Sequence, residues 1–133
     1  MPPASPGDQT QVSQHVTTED IETFAALTGD ENPLHLDPEY AAGGLFEEPI
    51  AHGMIAAGII SSALADLPGD IIYLSQDLSF EAPVYPDQTV TASAEVLEAL
   101  GNDRYRVETI ATVEDEVVVS GEATVLSLPR DDD

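Results

Sequence analysis

The chain has 133 residues, a length that favours one domain with a single hydrophobic core. Its charge is unusual: 26 acidic residues face three arginines, lysine is absent, and the formal net charge is -23. Three cations cannot neutralise a track of phosphates, which argues against direct binding to nucleic acid or to an anionic membrane. Because cysteine is absent, a disulfide framework and thiolate chemistry are excluded.

The acidic composition predicts a protein adapted to very high salt, from the cell interior of a salt-accumulating organism. A net charge of -23 repels itself in dilute buffer. At about 1 M ionic strength the Debye length falls to roughly 3 Å, so that neighbouring carboxylates scarcely repel one another. We therefore expect the thermal unfolding midpoint to rise steeply between about 0.1 M and several molar salt. A midpoint that does not change with salt would contradict this expectation.

The ends of the chain carry no targeting or membrane signal. The first residues lack a basic region followed by a long apolar run, so they do not form a signal peptide, and the cytoplasm is expected. No stretch is long and apolar enough to span a bilayer. We predict an irregular arm rich in proline over residues 1–10, one domain over residues 11–129, and an acidic tail over residues 130–133.

The first half of the chain predicts short helices. A weak strand pattern over residues 11–16 precedes a helix that is capped by Thr17, with the hydrophobic staple of Val16 and Ile21, and that stops at Gly29. Residues 30–36 are predicted to form a loop. Asp37-Pro38 then opens a short helix that ends near residue 42.

A charge-free helix and a run of strands follow. Residues 53–65 are apolar on every side, which predicts a helix buried on all sides and too short for a membrane. The period then changes to two, which predicts strands over residues 71–80, 89–97, 104–113 and 117–128. Hairpin turns at 101–103 and 114–116 make this part of the sheet antiparallel. The segregated order indicates an α+β domain whose sheet wraps the apolar helix.

Asp30 and His35 are the first candidates for chemistry. They lie five residues apart around a turn that is fixed by Pro33, so both side chains can point at one spot. A carboxylate and an imidazole that share one water form a general acid/base pair. The alternative is structural: Asp30 satisfies backbone donors after the helix, and His35 packs among its leucine neighbours. Asn32 is expected to hold the loop backbone in either case.

The segment His52-Gly53 is the second candidate. A glycine at a buried helix start leaves N–H groups pointing outward at the positive end of the helix dipole, where they can bind a developing oxyanion. The alternative is a tight packing contact at Gly53 and a hydrogen-bonded core histidine at His52. Ser61 lies two turns further along the helix. The three histidines, at positions 15, 35 and 52, have no recognisable metal-ligand spacing, and no metal is expected.

Taken together, the segments FAALTGDENPLHLD (residues 24–37) and FEEPIAHGM (residues 46–54) resemble the hydratase-2 signature of the MaoC-like dehydratase family. The resemblance is closest to the short (R)-specific enoyl-CoA hydratases of the PhaJ type and covers nearly the whole chain. It implies a hot-dog fold, in which a curved antiparallel sheet wraps a central helix, and a homodimer whose sheets join edge to edge.

The resemblance also implies an activity and a set of site residues. It implies reversible addition of water to a trans-2-enoyl-CoA to give the (R)-3-hydroxyacyl-CoA, which supplies monomers for polyhydroxyalkanoate, with no cofactor beyond the coenzyme A of the substrate. By the resemblance, Asp30 and His35 activate the water and the Gly53 amide polarises the thioester carbonyl. Asn32, His52 and Ser61 complete the implied substrate-binding set. The alternatives are a hot-dog acyl-CoA thioesterase, which usually needs a carboxylate on the central helix, and a non-catalytic acyl-binding module.

Overall fold

The structure is a computed structural model, and it describes residues 1–131. The described helices are α1 (Thr18–Thr28), α2 (Pro33–Leu36), α3 (Pro38–Ala42) and α4 (Gly53–Ala65). The described strands are β1 (Gln9–His15), β2 (Asp70–Gln76), β3 (Ser79–Phe80), β4 (Thr89–Gly101), β5 (Arg104–Val113) and β6 (Glu116–Leu128). The order matches the predicted α+β arrangement: after β1, the four described helices come before the remaining strands.

The strands form one antiparallel sheet that covers the central helix α4. Their order is β1-β4-β5-β6-β2, and β3 pairs with β6 beside this path. Helix α4 contacts β1, β4, β5, β6 and β2, so the sheet curves around it. The short segments before α4 lie at its N-terminal end, where the candidate residues were predicted.

The inner face of the sheet follows the predicted alternation. Along β4 and β5 every second side chain is buried against α4: Val90, Ala92, Ala94, Val96, Val107, Thr109, Ala111 and Val113. The buried hydroxyl of Thr109 donates to the Gly121 carbonyl at 2.9 Å and accepts from the Gln76 amide at 2.9 Å. Burial of this polar group is therefore compensated by hydrogen bonds. The period of two predicted for both strands is confirmed.

Both predicted hairpin turns are confirmed, each with two residues in the left-handed region. Asn102 and Asp103 have φ of 55° and 64°, and Glu114 and Asp115 have φ of 50° and 69°. Two positive-φ residues between antiparallel strands suit the right-handed strand twist.

The strand predicted over residues 71–80 is interrupted. It divides into β2 and β3 at Asp77 and Leu78, and its pairing with β6 shifts between Tyr73 and Ser75. The cause lies on the partner strand. A Cβ atom at Gly121 would overlap the carbonyl oxygen of Asp77. The backbone at Asp77 is therefore in direct contact with the backbone of β6. The N–H of the next residue, Glu122, also donates to the Asp77 carboxylate at 3.1 Å.

Helix α1 starts as its sequence predicts. The Thr17 hydroxyl accepts from the Asp20 N–H at 3.1 Å, and the Asp20 carboxylate accepts from the Thr17 N–H at 2.9 Å. This is a capping box, and the Thr17 N–H lowers the pKa of Asp20. Val16 and Ile21, the two residues of the predicted staple, are both buried.

The prediction of a loop over residues 30–36 is wrong at its end, because Pro33–Leu36 forms one helical turn, α2. Asn32 caps this turn: its side-chain oxygen accepts from the Leu34 N–H at 3.1 Å. The signal was present in the sequence, since Asn32-Pro33 has the same cap-and-proline pattern that correctly predicted α3 at Asp37-Pro38.

The prediction that α4 is buried on all sides is also wrong. Its sheet-facing side is buried, but Met54, Gly58, Ser62 and Ala65 are exposed on the opposite side. Met54, for example, is 55% exposed. A single sheet can cover only one side of a helix, so the lack of charge on the other side calls for a different explanation.

The first ten residues pack against the domain instead of extending into solvent. Ala4 is buried, and its N–H donates to the Ser127 hydroxyl at 2.8 Å. Strand β1 begins at Gln9, before the predicted start at residue 11. Near the other end, the Arg130 guanidinium pairs with Asp70 at 3.2 Å. Residues 132–133 of the predicted acidic tail lie outside the described residues.

None of the helices in residues 1–131 has the length and hydropathy needed to cross a bilayer.

Candidate active site

Asp30 follows the end of α1 in a short, tightly hydrogen-bonded connection. Gly29 ends the helix in the left-handed conformation, with φ of 79°, and its N–H donates to the Ala25 carbonyl at 2.8 Å. The Asp30 N–H then donates to the Thr28 hydroxyl at 3.2 Å, and the Asp30 carboxylate accepts from the Asn32 N–H at 3.4 Å. These bonds hold the exposed Asp30 side chain close to the N-terminal end of α2.

His35 is oriented by a hydrogen bond to the loop that precedes α4. Its Nδ1 lies 2.8 Å from the Ile50 carbonyl oxygen. Because a carbonyl can only accept, this bond assigns the proton of the neutral ring to Nδ1, which leaves the lone pair of Nε2 available as a base. Ile50 is itself bonded to α2, since its N–H donates to the Leu34 carbonyl at 3.4 Å.

His52 is buried directly behind His35. The two imidazole rings stack with centroids 3.9 Å apart and planes 28° apart, and the centroid of the Phe24 ring lies 4.8 Å from that of His52. His52 Nε2 lies 2.9 Å from the Asp30 carbonyl oxygen, so this nitrogen carries the proton. Its Nδ1 is buried and has no hydrogen-bond partner. His52 therefore contacts both members of the Asp30–His35 pair.

A largely apolar cavity of about 470 Å³ opens beside His35. Its wall includes the start of α4, the loop before it, strand β3 and the segment after β3. The apolar side chains and glycine that line it are Phe46, Ile50, Ala51, Gly53, Met54, Ala56, Phe80, Ala82, Pro83, Val84 and Val119. Besides His35, the one charged group in the lining is Glu81. Such a cavity suits an apolar chain that ends at a polar reacting group.

Gly53 places the N-terminal end of α4 in the wall of this cavity. The helix begins at this residue, and the preceding His52 makes no side-chain cap. The first amides of the helix are therefore at the positive end of its dipole with no intrahelical partner. A Cβ at Gly53 would lie 2.7 Å from two atoms of the Phe80 ring, so the ring packs directly on the glycine.

The structure brings together only part of the predicted residue set. His35 and Gly53 line the cavity, while the Asp30 carboxylate lies within 4.8 Å of a ring nitrogen of each nearby histidine. Asn32 caps α2 and does not line the cavity. Ser61 is two turns from the start of α4 and also lies outside the lining, so its predicted contact with substrate stays a prediction.

Sequence reasoning missed the apolar lining of the cavity, including its large side chains Phe46, Met54 and Phe80. Met54 and Phe80 are each more than half exposed, although both side chains are large and apolar. No period in the sequence distinguishes them from core residues. Their exposure next to the Asp30–His35 pair becomes visible only after the chain folds.

The convergence of Asp30, His35 and His52 was also unexpected, because the sequence spacing predicted no cluster. Each of these residues offers a possible metal-ligand atom within 4.8 Å of the others. Zinc binds imidazole along the in-plane lone pair at about 2.0–2.1 Å. Ring planes that stack at 28° do not converge on one such point. The arrangement therefore suits proton transfer better than metal coordination.

Arg104 and Arg106, the two arginines of strand β5, do not line the cavity. Arg106 pairs with Glu98 at 2.8 Å and with Glu122 at 3.0 Å, and these carboxylates raise its pKa. Arg104 is exposed at the first position of β5. The described cavity lining contains no lysine or arginine.

A curved antiparallel sheet over one central helix, with an acid–base pair at the N-terminal end of that helix, defines a hot-dog protein with an enzyme site. The (R)-hydratase of Aeromonas caviae, described as involved in PHA biosynthesis, superposes with a TM-score of 0.84 and 39% identity, covering 94% of this chain and 97% of that one. The predicted hot-dog fold is therefore confirmed.

Sequence comparison identifies the family. The model of the MaoC like domain matches residues 4–120. The (R)-specific enoyl-CoA hydratase of Aeromonas caviae is 42% identical over 123 residues, which covers 91% of this chain and 88% of the relative. The enzyme of the same name from Rhodospirillum rubrum is 40% identical over 123 residues, covering 90% and 85%. The chain belongs to the MaoC-like family, and the predicted resemblance is confirmed.

Proposed function

We propose that this protein is an (R)-specific enoyl-CoA hydratase, which adds water reversibly to a trans-2-enoyl-CoA. The observation that carries the proposal is the position of His35. Its Nδ1–H is bound to the Ile50 carbonyl, so that the free Nε2 lone pair belongs to a residue that lines the same cavity as Gly53. The Asp30 carboxylate lies within 4.8 Å of a ring nitrogen of His35. The relatives from Aeromonas caviae and Rhodospirillum rubrum, which cover 91% and 90% of this chain, carry this activity in their names.

The two halves of the site have complementary tasks in this reaction. Asp30 and His35 bind one water, take a proton from it as its oxygen attacks C3, and return a proton to C2, so that one water is added in all. Negative charge develops on the thioester oxygen as the enolate-like transition state forms. The N–H groups of Gly53 and Met54, at the start of α4, would bind that oxygen. This chemistry requires no cofactor.

The apolar lining supports an acyl thioester as substrate. The acyl chain would lie among Phe46, Met54 and Phe80, with its C3 near His35. Thioester hydrolysis is less well supported, since residues 54–65 of the central helix contain no carboxylate. An acyl-binding module without activity would have no use for the Asp30–His35 pair. Because acyl-CoA esters are metabolites of the cell interior, the proposal assigns the protein to the cytoplasm, and monomer supply for PHA is the proposed role.

The test is an assay of the purified protein in high salt with enoyl-CoAs of increasing chain length. We expect loss of the conjugated enoyl thioester and formation of the (R)-3-hydroxyacyl-CoA, without release of free thiol. Release of coenzyme A thiol would identify a thioesterase instead. Binding of an acyl-CoA without turnover of any chain length would identify a binding module.

We also propose that the protein is a homodimer joined at strand β2. This strand is one edge of the sheet, opposite β1, and three consecutive apolar residues on it, Ile72, Tyr73 and Leu74, are each more than 40% exposed. An exposed apolar edge strand is a surface that pairs readily with another strand. The charge-free outer side of α4, with Met54 and Gly58, is a second surface that a partner could cover.

Leu74→Lys should shift the protein from dimer to monomer, because a lysine on an edge strand opposes pairing. Light scattering coupled to gel filtration in high salt measures the mass. Leu100→Lys is the matched control, since Leu100 is 47% exposed at the far end of β4 and lies away from β2. A monomeric wild type, or a dimeric Leu74→Lys variant, would contradict this interface.

A further inference from the structure

We infer that His52 is a positioning residue for the proposed hydratase reaction, holding Asp30 through its Nε2–H and His35 through its ring face. The inference rests on the proposed function. His52 does not line the cavity and is only 3% exposed, so it acts through its neighbours and not on the substrate.

The contact with Asp30 is a hydrogen bond to the backbone. His52 Nε2–H donates to the Asp30 carbonyl at 2.9 Å and joins the end of the α1–α2 connection to the start of α4. Asp30 is otherwise held only by bonds within its own loop, to Thr28 and Asn32. Without the His52 bond, the loop that carries the carboxylate would have no hydrogen bond of its own to the helix that carries Gly53.

The contact with His35 is a ring stack. Its centroid distance of 3.9 Å and tilt of 28° place the His52 face against the whole His35 ring. His35 is half-buried on a helix of four residues, which by itself cannot restrict the rotamer of its side chain. The stack and the bond to the Ile50 carbonyl together fix the direction of the free Nε2.

His52 also has a feature that destabilises the folded protein. His52 Nδ1 is buried without a hydrogen-bond partner, a state that opposes folding. A phenylalanine would remove this unpaired atom and could still stack between Phe24 and His35. A histidine that served only packing would therefore be replaced by phenylalanine with no loss of stability or activity.

The principal test is His52→Phe, measured for unfolding and for turnover of trans-2-butenoyl-CoA in high salt. We expect an unfolding midpoint equal to or above that of the wild type and a kcat reduced roughly 10- to 100-fold, the scale associated with a misplacement of about 1 Å. The KM should stay within about 3-fold, because the cavity lining is untouched. His52→Gln, which keeps an N–H donor of similar reach, should recover at least part of the lost kcat.

A double-variant cycle with Asp30→Asn tests whether His52 acts through Asp30. In that background His52→Phe should cause little further loss, because the carboxylate it positions is already inactive. A His52→Phe kcat within about 3-fold of the wild type, or an undiminished loss in the Asp30→Asn background, would overturn the inference. If His52→Phe does not fold, the same cycle is run with His52→Asn, whose shorter amide cannot reach the Asp30 carbonyl.

The controls separate this inference from the proposed function. His15→Gln removes an exposed histidine on β1 that pairs with Asp87 at 3.5 Å, and it should leave kcat unchanged. A wild type that is inactive on every enoyl-CoA would refute the proposed function itself. A wild type that is active, with an equally active His52→Phe variant, would refute only the positioning role.

Discussion

Replacing His35 or Asp30 with alanine is expected to reduce kcat/KM for trans-2-butenoyl-CoA by roughly 10²–10⁴-fold, the usual contribution of general acid/base catalysis. His35 lines the cavity and has a free Nε2, and Asp30 supplies the nearby carboxylate. Because both residues bind one water, the double variant should be little slower than the slower single variant. The rate is followed by the loss of the enoyl thioester absorbance.

These variants should fold, so that the loss reports on chemistry. Asp30 is exposed and His35 is half-buried, and neither belongs to the core of buried apolar residues. Circular dichroism and thermal unfolding in high salt check this point. His15→Ala is the matched control and should keep full activity. His15 lies on β1, the edge strand opposite β2. A near-wild-type rate in either Asp30→Ala or His35→Ala would refute the assignment of the pair.

Gly53→Ala is expected to lower kcat/KM by about 10²-fold, the lower end of the range for loss of one oxyanion donor. The added Cβ would lie 2.7 Å from Cδ1 and Cε1 of Phe80, a distance that real Cβ contacts do not show. Either the ring moves or the first turn of α4 does. Both movements disturb the cavity wall, and the second also removes the N–H groups from the thioester oxygen.

The same helix provides a control and a rescue for this variant. Gly58 is also in α4, and a Cβ there meets no atom within 4 Å, so Gly58→Ala should leave the rate unchanged. Adding Phe80→Ala to Gly53→Ala removes the colliding ring and should restore part of the activity. If Gly53→Ala is as active as Gly58→Ala, the close packing of Phe80 on the helix start does not matter for catalysis.

Local patterns in the sequence predicted most helices and strands correctly, because the residues that begin or end an element lie within a few positions of it. The capping box of Thr17 and the alternation along β4 are examples, and both are confirmed. The prediction that α4 is buried on all sides was wrong, because it too was based on a local pattern. The apolar run shows that no side carries charge, but it does not show how many sides the sheet can cover.

By itself, the sequence determined the position of the Asp30–His35 loop, the glycine at the helix start, the antiparallel sheet and the family. Each depends on residue types at fixed spacing along the chain. Only the tertiary structure decided that His52 stacks on His35 and bonds to the Asp30 carbonyl, and that Phe80 packs on Gly53. These partners are 17, 22 and 27 positions apart. Contacts over such separations depend on how α2, the connection before it and β3 meet the start of α4, which no local pattern encodes.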